Sequence, residues 1–181
     1  MNNPREKLLD VAFNEIYHCG YNATSIDKIL KQASMNKGSM YHFFKSKKEL
    51  GLAVINEKVN FYIENKYSVL LKYEENICEE LIKLIKNRNN FDFTCGCKLN
   101  NLMQELSPID EDFKVALEKV YLRFENIIEE VLIKAVKKSE IKHNDTKALS
   151  MYVVASIEGC LGTAKKSQDG DKNAGSLYQR K

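Results

Sequence analysis

The 181-residue sequence lacks several features that would place it in a familiar class. It contains no run of about 18 apolar residues, and the opening segment MNNPREKLLD has no apolar stretch, so we expect neither a membrane span nor a secretory signal. Its five cysteines are an odd number, which disfavours a disulfide framework and indicates reduced thiols. These absences predict a cytoplasmic protein without a membrane partner.

Enzyme signatures are also missing. We find no Ser/His/Asp arrangement and no phosphate-binding loop, so we expect no enzymatic activity, no cofactor and no metal. One alternative of another class stays open. Glu15/His18 and Glu140/His143 both have the Glu-x-x-His spacing that binds di-iron in ferritin-like bundles, which would make the protein an oxidoreductase. Against it, both histidines fall at predicted helix ends or in loops.

The periodicity of apolar residues predicts an all-α fold. No segment alternates with period 2, whereas apolar residues recur at helical spacing along most of the chain. Thr24 with Asp27 and Ser46 with Glu49 have the spacing of capping boxes, and Asn36 can cap a further helix. The predicted helices cover about 5–18, 25–32, 37–43, 47 to about 70, a segment beginning near Ile77, 99–106, 113–135 and 145–166.

Segment 24–50, TSIDKILKQASMNKGSMYHFFKSKKEL, combines two short helices, a tight turn and positive charge. Six lysines and no Asp, Glu or Arg lie between Lys28 and Lys48. Residues 1–58 hold nine Lys and Arg against six Asp and Glu, so the chain's net charge of +3 belongs to this part. Charge alone fits an ordinary solvated face. Together with the turn and the caps it indicates a helix-turn-helix that binds DNA.

A helix-turn-helix in this segment would give its residues specific roles in DNA binding. The second helix of the motif would place Lys37, Ser39 and His42 at the major groove, with Gly38 allowing close backbone approach. Phe13, Ile29, Met40 and Phe44 would hold the three helices together. The predicted DNA-binding residues are Thr24, Ser25, Lys28, Lys37, Gly38, Ser39, Tyr41, His42, Lys45 and Lys47.

The same segment resembles the DNA-binding signature of the TetR/AcrR family of transcriptional regulators. Segment GCKLNNLMQELS at 96–107 is similar to a stretch found in one branch of that family. The signature matches at Thr24, Ser25, Ile29, Ala33, Asn36, Lys37, Gly38, Ser39, Tyr41, Phe44, Lys45, Ser46, Lys47 and Leu50.

The resemblance implies a fold and a function. A three-helix DNA-binding domain at 1–50 would be joined, through the helix from 47 to about 70, to a ligand-binding and dimerisation domain at 51–181. The implied partners are double-stranded DNA with a near-palindromic operator, a small-molecule effector and a second copy of the chain. The implied function is a repressor that a small apolar ligand releases from its operator.

Two features depart from the family pattern. The family commonly has His or Tyr two residues after the motif's Tyr41, where this chain has Phe43. Relatives usually add a substantial ninth helix, whereas this chain ends in SQDGDKNAGSLYQRK, which is too short and polar for one.

The last predicted helix carries small residues on one face. Ala155, Gly159 and Gly162 fall at i, i+4 and i+7, which permits close approach of another helix, and similar helices in the family form half of a dimer interface. Burial inside its own domain is the alternative. For the ligand pocket, the candidates are the aromatic and aliphatic residues Phe61, Tyr62, Phe91, Phe93, Met103, Phe113, Tyr121, Phe124, Tyr152 and Ile157, although each can equally be a core residue.

Cys95 and Cys97 suggest a further alternative. They lie one residue apart in a predicted loop at a helix N-terminus, where the helix dipole lowers a thiol pKa. The same scaffold could therefore act as a thiol-based sensor of oxidants or electrophiles, with buried structural cysteines as the competing interpretation.

Overall fold

The computed structural model describes residues 3–167, with side chains described for 3–165, and this part of the chain is helical without any strand. Three helices open it: α1 at Pro4–Cys19, α2 at Ile26–Ala33 and α3 at Lys37–Phe43. The predicted all-α fold is confirmed. Relatives of the family usually add one more long helix after the one that corresponds to Thr146–Ser167. In this chain that position falls in residues 168–181, which lie outside the described residues.

After three non-helical residues at 44–46, a continuous helical run begins at Lys47. It consists of α4 at Lys47–Ala53, a π-helical stretch at Val54–Val59 and α5 at Asn60–Tyr67, and a short 3-10 turn follows at Ser68–Lys72. The sequence predicted one regular helix here, ending near residue 70. The π-helical stretch is therefore a correction, because side-chain periodicity does not distinguish it from an α-helix.

Four further α-helices complete the described fold, and each matches a predicted one to within a few residues. They are α6 at Ile77–Lys86, α7 at Lys98–Leu106, α8 at Glu111–Lys137 and α9 at Thr146–Ser167, with a short 3-10 turn at Arg88–Asn90 between α6 and α7. No helix among the described residues is long and apolar enough to cross a membrane.

The chain divides into two compact units whose boundaries do not follow the sequence order. The first unit contains residues 1–62 and 98–120, and the second contains 63–97 and 121–181. Residues 98–120 thus belong with the N-terminal helices. The functional division at residue 50 that the sequence suggests remains a prediction.

The first unit has a core built from α1 to α4, α7 and the start of α8. Gly51 lies so close to Tyr21 that an added Cβ would be 2.6 Å from the Tyr21 ring. Tyr21 also meets Phe113 edge-on, with ring centroids 4.9 Å apart. Arg5 pairs with Glu57 at 2.5 Å, and this holds α1 to the π-helical stretch.

The second unit has its own core around α5, α6, α8 and α9. Tyr67 stacks on Phe124, which is fully buried, with ring centroids 4.2 Å apart. At the start of α6 the Glu140 carboxylate accepts hydrogen bonds from the backbone N–H groups of Ile77 (3.0 Å) and Cys78 (2.9 Å). Glu140 thereby satisfies two donors that a helix N-terminus leaves open.

Candidate nucleic-acid interface

A three-residue turn joins α2 to α3. Ser34 takes the left-handed conformation (φ 55°) that ends α2, and the Met35 N–H donates to the Leu30 carbonyl at 2.9 Å. The Asn36 side chain then accepts from the Ser39 N–H at 2.8 Å, as the sequence predicted for the cap of α3. The turn and its caps give α3 a fixed orientation on α2.

Buried side chains fix the helices of the motif. Ile29, Met40 and Phe44 are buried as predicted, but Phe13 is half-exposed and contributes less than expected. The inner face of α1 is instead filled by Leu8, Leu9, Ala12 and Ile16, which are all buried. The predicted apolar stripe of Leu9, Ala12, Phe13 and Ile16 is thus confirmed at three of its four positions, with Leu8 taking the place of Phe13.

The outer face of α3 is open to solvent. Tyr41 is 52% exposed, Lys37, Gly38 and His42 are exposed, and Ser39 is half-buried with its hydroxyl 3.2 Å from the Asn36 oxygen. Phe43 is half-buried and its ring meets His42 edge-on at 5.0 Å. A shallow depression beside this face is lined by Pro4, Met35, Gly38, Ser39, His42 and Phe43.

Acidic residues outside the basic window reduce its charge. Lys28 pairs with the buried Glu15 at 2.5 Å, and Lys37 pairs with Asp27 at 3.0 Å. Lys28 and the Gln32 amide hold the pKa of Glu15 below its usual value, while the Lys28 side chain itself stays 47% exposed. Contact of Lys28 with DNA stays a prediction, and its pairing with Glu15 would compete with that contact.

A third lysine of the window, Lys48, is also paired. Its ammonium lies 2.7 Å from both Asp110 and Asp112, and these contacts raise its pKa. Among the described residues, Lys31 and Lys45 have no acidic partner within 4.0 Å. Half of the six positive charges counted from the sequence are thus neutralised locally.

Lys47 lies at the first position of α4. Its ammonium donates to the Asn22 carbonyl at 3.4 Å and lies 4.4 Å from the centroid of the Tyr21 ring. Partial burial lowers the pKa of Lys47. Lys47 is half-exposed and Lys45 is exposed, and their contact with DNA stays a prediction.

The cap of α2 is a correction to the sequence prediction. Ser25, not Thr24, is the N-cap, since its hydroxyl accepts from the Lys28 N–H at 3.2 Å. Thr24 is buried, and its hydroxyl donates to the Gly20 carbonyl at 2.7 Å. Thr24 therefore shapes the turn before α2 and is not available to DNA.

Sequence reasoning missed Glu105 of α7, which fixes the turn between α1 and α2. Its carboxylate accepts from the backbone N–H groups of Tyr21 (2.9 Å) and Asn22 (2.7 Å), and it lies against Gly20, whose φ is +85°. Nothing local marks Glu105, because its partners are far away in the sequence. In the sequence, only Gly20 marked this turn, because it predicted the end of the first helix.

The predicted pocket residues are divided between the two units. In the first unit, Phe61 is 61% exposed, Phe113 is buried against Tyr21, and the Lys98 ammonium lies 4.7 Å from the Tyr62 ring centroid. The half-buried Met103 accepts from the Ser107 hydroxyl through its sulfur.

The second unit holds the other six predicted pocket residues. The Lys66 ammonium lies 3.7 Å from the centroid of Phe91, Phe93 is half-buried beside Phe91, and Phe124 is a core residue. Tyr152 is 71% exposed on α9, which does not suit a pocket residue, whereas Ile157 is buried and Tyr121 half-buried. Membership of a pocket stays a prediction for these residues.

The two alternative functions are not favoured. Cys97 is buried and Cys95 half-buried. The Glu15 and Glu140 carboxylates belong to different units and are already engaged by Lys28 and by two backbone N–H groups respectively. In the part of the chain that the structure describes, no three His, Cys, Asp or Glu side chains are grouped to hold a metal.

The capped turn, the buried supports and the open outer face of α3 define a helix-turn-helix DNA-binding protein. Comparison with known families agrees. A profile described as "Bacterial regulatory proteins, tetR family" matches residues 8–54, and one described as "Transcriptional regulator LmrA/YxaF-like, C-terminal domain" matches residues 75–172. The chain belongs to the TetR family of transcriptional regulators.

Individual relatives support this assignment. An uncharacterized HTH-type transcriptional regulator from the lacX 3' region of Lactococcus lactis subsp. lactis is 34% identical over 173 residues, covering 93% of this chain and 87% of that protein. The HTH-type transcriptional regulator QacR of Staphylococcus aureus is 29% identical over 153 residues, covering 84% of this chain and 66% of that protein.

Solved structures share the fold. The reduced form of Escherichia coli NemR superposes with a TM-score of 0.85 at 23% identity, covering 95% of this chain and 94% of that chain. Regulatory protein TetR from Rhodobacter sphaeroides gives 0.80 at 26% identity, covering 92% of this chain and 90% of that chain.

Proposed function

We propose that this chain acts in the cytoplasm as a homodimeric repressor that binds a near-palindromic operator through α3 and leaves it when a small molecule binds the helical domain. The observation that carries the proposal is the outer face of α3, where Gly38, Ser39, Tyr41 and His42 lie beside a capped turn. Ser39 and His42 can hydrogen-bond base edges, and Tyr41, Lys45 and Lys47 can contact phosphates.

A selection experiment tests the DNA-binding part. Full-length protein would be used to enrich duplexes from a random pool. We expect an inverted repeat whose half-sites are one or two helical turns apart, because a two-fold dimer presents two copies of α3. Enrichment of an unrepeated site, or no enrichment, would contradict the proposal.

The proposed dimer surface is the outer face of α9. Ala155, Gly159 and Gly162 are exposed, and a methyl group added at either glycine would meet nothing within 4 Å among the described residues. Met151 and Tyr152 are exposed near the start of the helix. A face of small and apolar residues that no described part of the chain covers suits a second copy of α9.

Substitution of Gly159 by Leu tests this surface. A Cβ atom at Gly159 would meet only open space among the described residues, and we therefore expect Leu to leave folding unaffected, as circular dichroism would show. Light scattering after size-exclusion chromatography should nevertheless show a shift from dimer towards monomer, because Leu would prevent close approach of two α9 helices. An unchanged dimer would place the interface elsewhere.

Residues 98–120 provide the proposed connection between effector and DNA. Within the first unit, Glu105 holds the turn before α2, and Asp110 and Asp112 hold Lys48 at the start of α4. A movement of α7 and the start of α8 would therefore move the elements that support α3. Effector binding would act as a shift between two populations of the dimer, one with α3 at operator spacing and one without.

A further inference from the structure

Glu158 is a buried carboxylate without a partner in the described part of the chain. It lies on the inner face of α9, is 6% exposed, and neither of its oxygens has a hydrogen-bond partner among the described residues. No other buried side-chain nitrogen or oxygen in the described part of the chain is left in this state. An unpaired buried carboxylate is costly to folding, so such a group commonly has a function.

Apolar and weakly polar groups surround Glu158. Val154, Ile157 and Leu161 are buried on the same side of α9. The Tyr121 phenol of α8 lies near Glu158. The pKa of Tyr121 is raised, first by its own burial and second by the charge of Glu158. Burial raises the pKa of Glu158, and the nearby Cys97 thiol lowers it in part. The Cys97 thiol does not meet the geometry of a hydrogen bond to either Glu158 oxygen.

The Lys66 ammonium of the second unit forms no hydrogen bond with Glu158. The Lys66 ammonium donates to the Asn90 carbonyl at 2.5 Å and lies over the Phe91 ring, so it acts on Glu158 only as a more distant charge. A metal ion is also unsuited, because the described residues offer no group of three metal-binding side chains. A ligand suited to this site would carry a hydrogen-bond donor for the Glu158 carboxylate on an apolar framework.

We propose that Glu158 is the polar anchor of the effector site and that it selects ligands carrying a protonated amine on an apolar or aromatic frame. The ammonium would donate to the Glu158 carboxylate, and the frame would lie against the apolar side chains of the inner face of α9. Tyr121 offers a second polar contact. This inference rests on the proposed function only in naming the ligand an effector.

Two probes of matched shape test the charge preference. Calorimetry on the full-length protein at neutral pH would compare 4-phenylbutylammonium with the neutral 4-phenylbutan-1-ol. We expect the amine to bind at least about tenfold more tightly, since a hydrogen bond to a buried charged group has that effect on affinity. Equal affinities, or no binding of the amine, would overturn the proposal.

Matched variants identify the residue responsible. In Glu158→Gln the preference should fall to within about twofold, whereas Glu118→Gln, which alters an exposed carboxylate of α8, should keep it. A preference that persists in Glu158→Gln would overturn the assignment.

A measurement without ligand provides a second test. If Glu158 is unpartnered, Glu158→Leu should unfold at the same or a higher temperature than the wild type, because a buried carboxyl group without a hydrogen-bond partner is replaced by an apolar side chain. A clearly lower unfolding temperature would show a structural role and overturn the proposal.

Operator affinity, measured in parallel, separates this inference from the proposed function. If the amine binds through Glu158 but leaves operator affinity unchanged, Glu158 is an amine-binding site and the amine is not an effector. If other compounds release the operator and the amine does not bind, the amine site at Glu158 is refuted and the proposed repressor function stands.

Discussion

Replacing Glu105 by Gln should loosen the turn between α1 and α2. The carboxylate accepts hydrogen bonds from the N–H groups of Tyr21 at 2.9 Å and Asn22 at 2.7 Å. An amide side chain keeps one acceptor oxygen and turns an NH2 group towards the other donor. One of the two backbone N–H groups therefore loses its partner.

The size of the effect follows from the bond that is lost. A hydrogen bond to a charged group contributes about 1.5–3 kcal/mol. If the turn opens locally, amide exchange at Tyr21 and Asn22 should accelerate by about 10- to 150-fold in Glu105→Gln, since each 1.4 kcal/mol corresponds to a factor of ten. Hydrogen–deuterium exchange of a peptide covering residues 20–25 measures this in the full-length protein.

Glu111→Gln is the matched control. Glu111 is an exposed carboxylate at the start of α8, paired only with Lys114 of the same helix, so its replacement should leave exchange in the turn unchanged. The reasoning would be refuted if Glu105→Gln left the exchange rates unaltered, or if both variants accelerated exchange equally.

Further substitutions test other parts of the account. Gly51→Ala should lower the free energy of unfolding by about 1–3 kcal/mol, because the new Cβ would lie 2.6 Å from the Tyr21 ring; equal stability in a urea titration would contradict this. Ser25→Ala should cost about 1 kcal/mol in the same titration through loss of the α2 cap. Lys48 holds the pKa of Asp110 below its usual value, so the stabilisation from this pair is present above about pH 4 and is lost as the pH falls through the lowered pKa. Lys48→Ala should therefore flatten the acid side of the stability profile, and an unchanged profile would be evidence against the pair.

Features set by neighbours in the sequence were predictable. The range of α3, Lys37–Phe43, agrees with the prediction because Asn36 caps it and Ser46 caps the next helix, and both signals lie within a few residues of the bonds they make. The cap of α2 was wrong for a related reason. Thr24 and Ser25 are adjacent hydroxyl residues, and only the bond from Thr24 to the Gly20 carbonyl decides which of them is free to cap.

Features set by distant residues were not predictable. A charge count over a sequence window cannot include Glu15, Asp110 or Asp112, which neutralise lysines of that window. Glu105 likewise carries no local pattern, since its acceptor role depends on how α7 lies against the turn before α2. The unpartnered state of Glu158 could not be inferred either, because a glutamate in a helix is exposed in most proteins.

The central claim is that the outer face of α3 reads the operator, and a protein–DNA double-mutant cycle tests it most directly. Wild-type protein and His42→Ala would be titrated by fluorescence anisotropy against the selected operator and against duplexes with symmetric base changes in each half-site. The account predicts that at least one base change costs the wild type about 1–3 kcal/mol per half-site and costs His42→Ala much less. Penalties that are the same for both proteins at every position would contradict it.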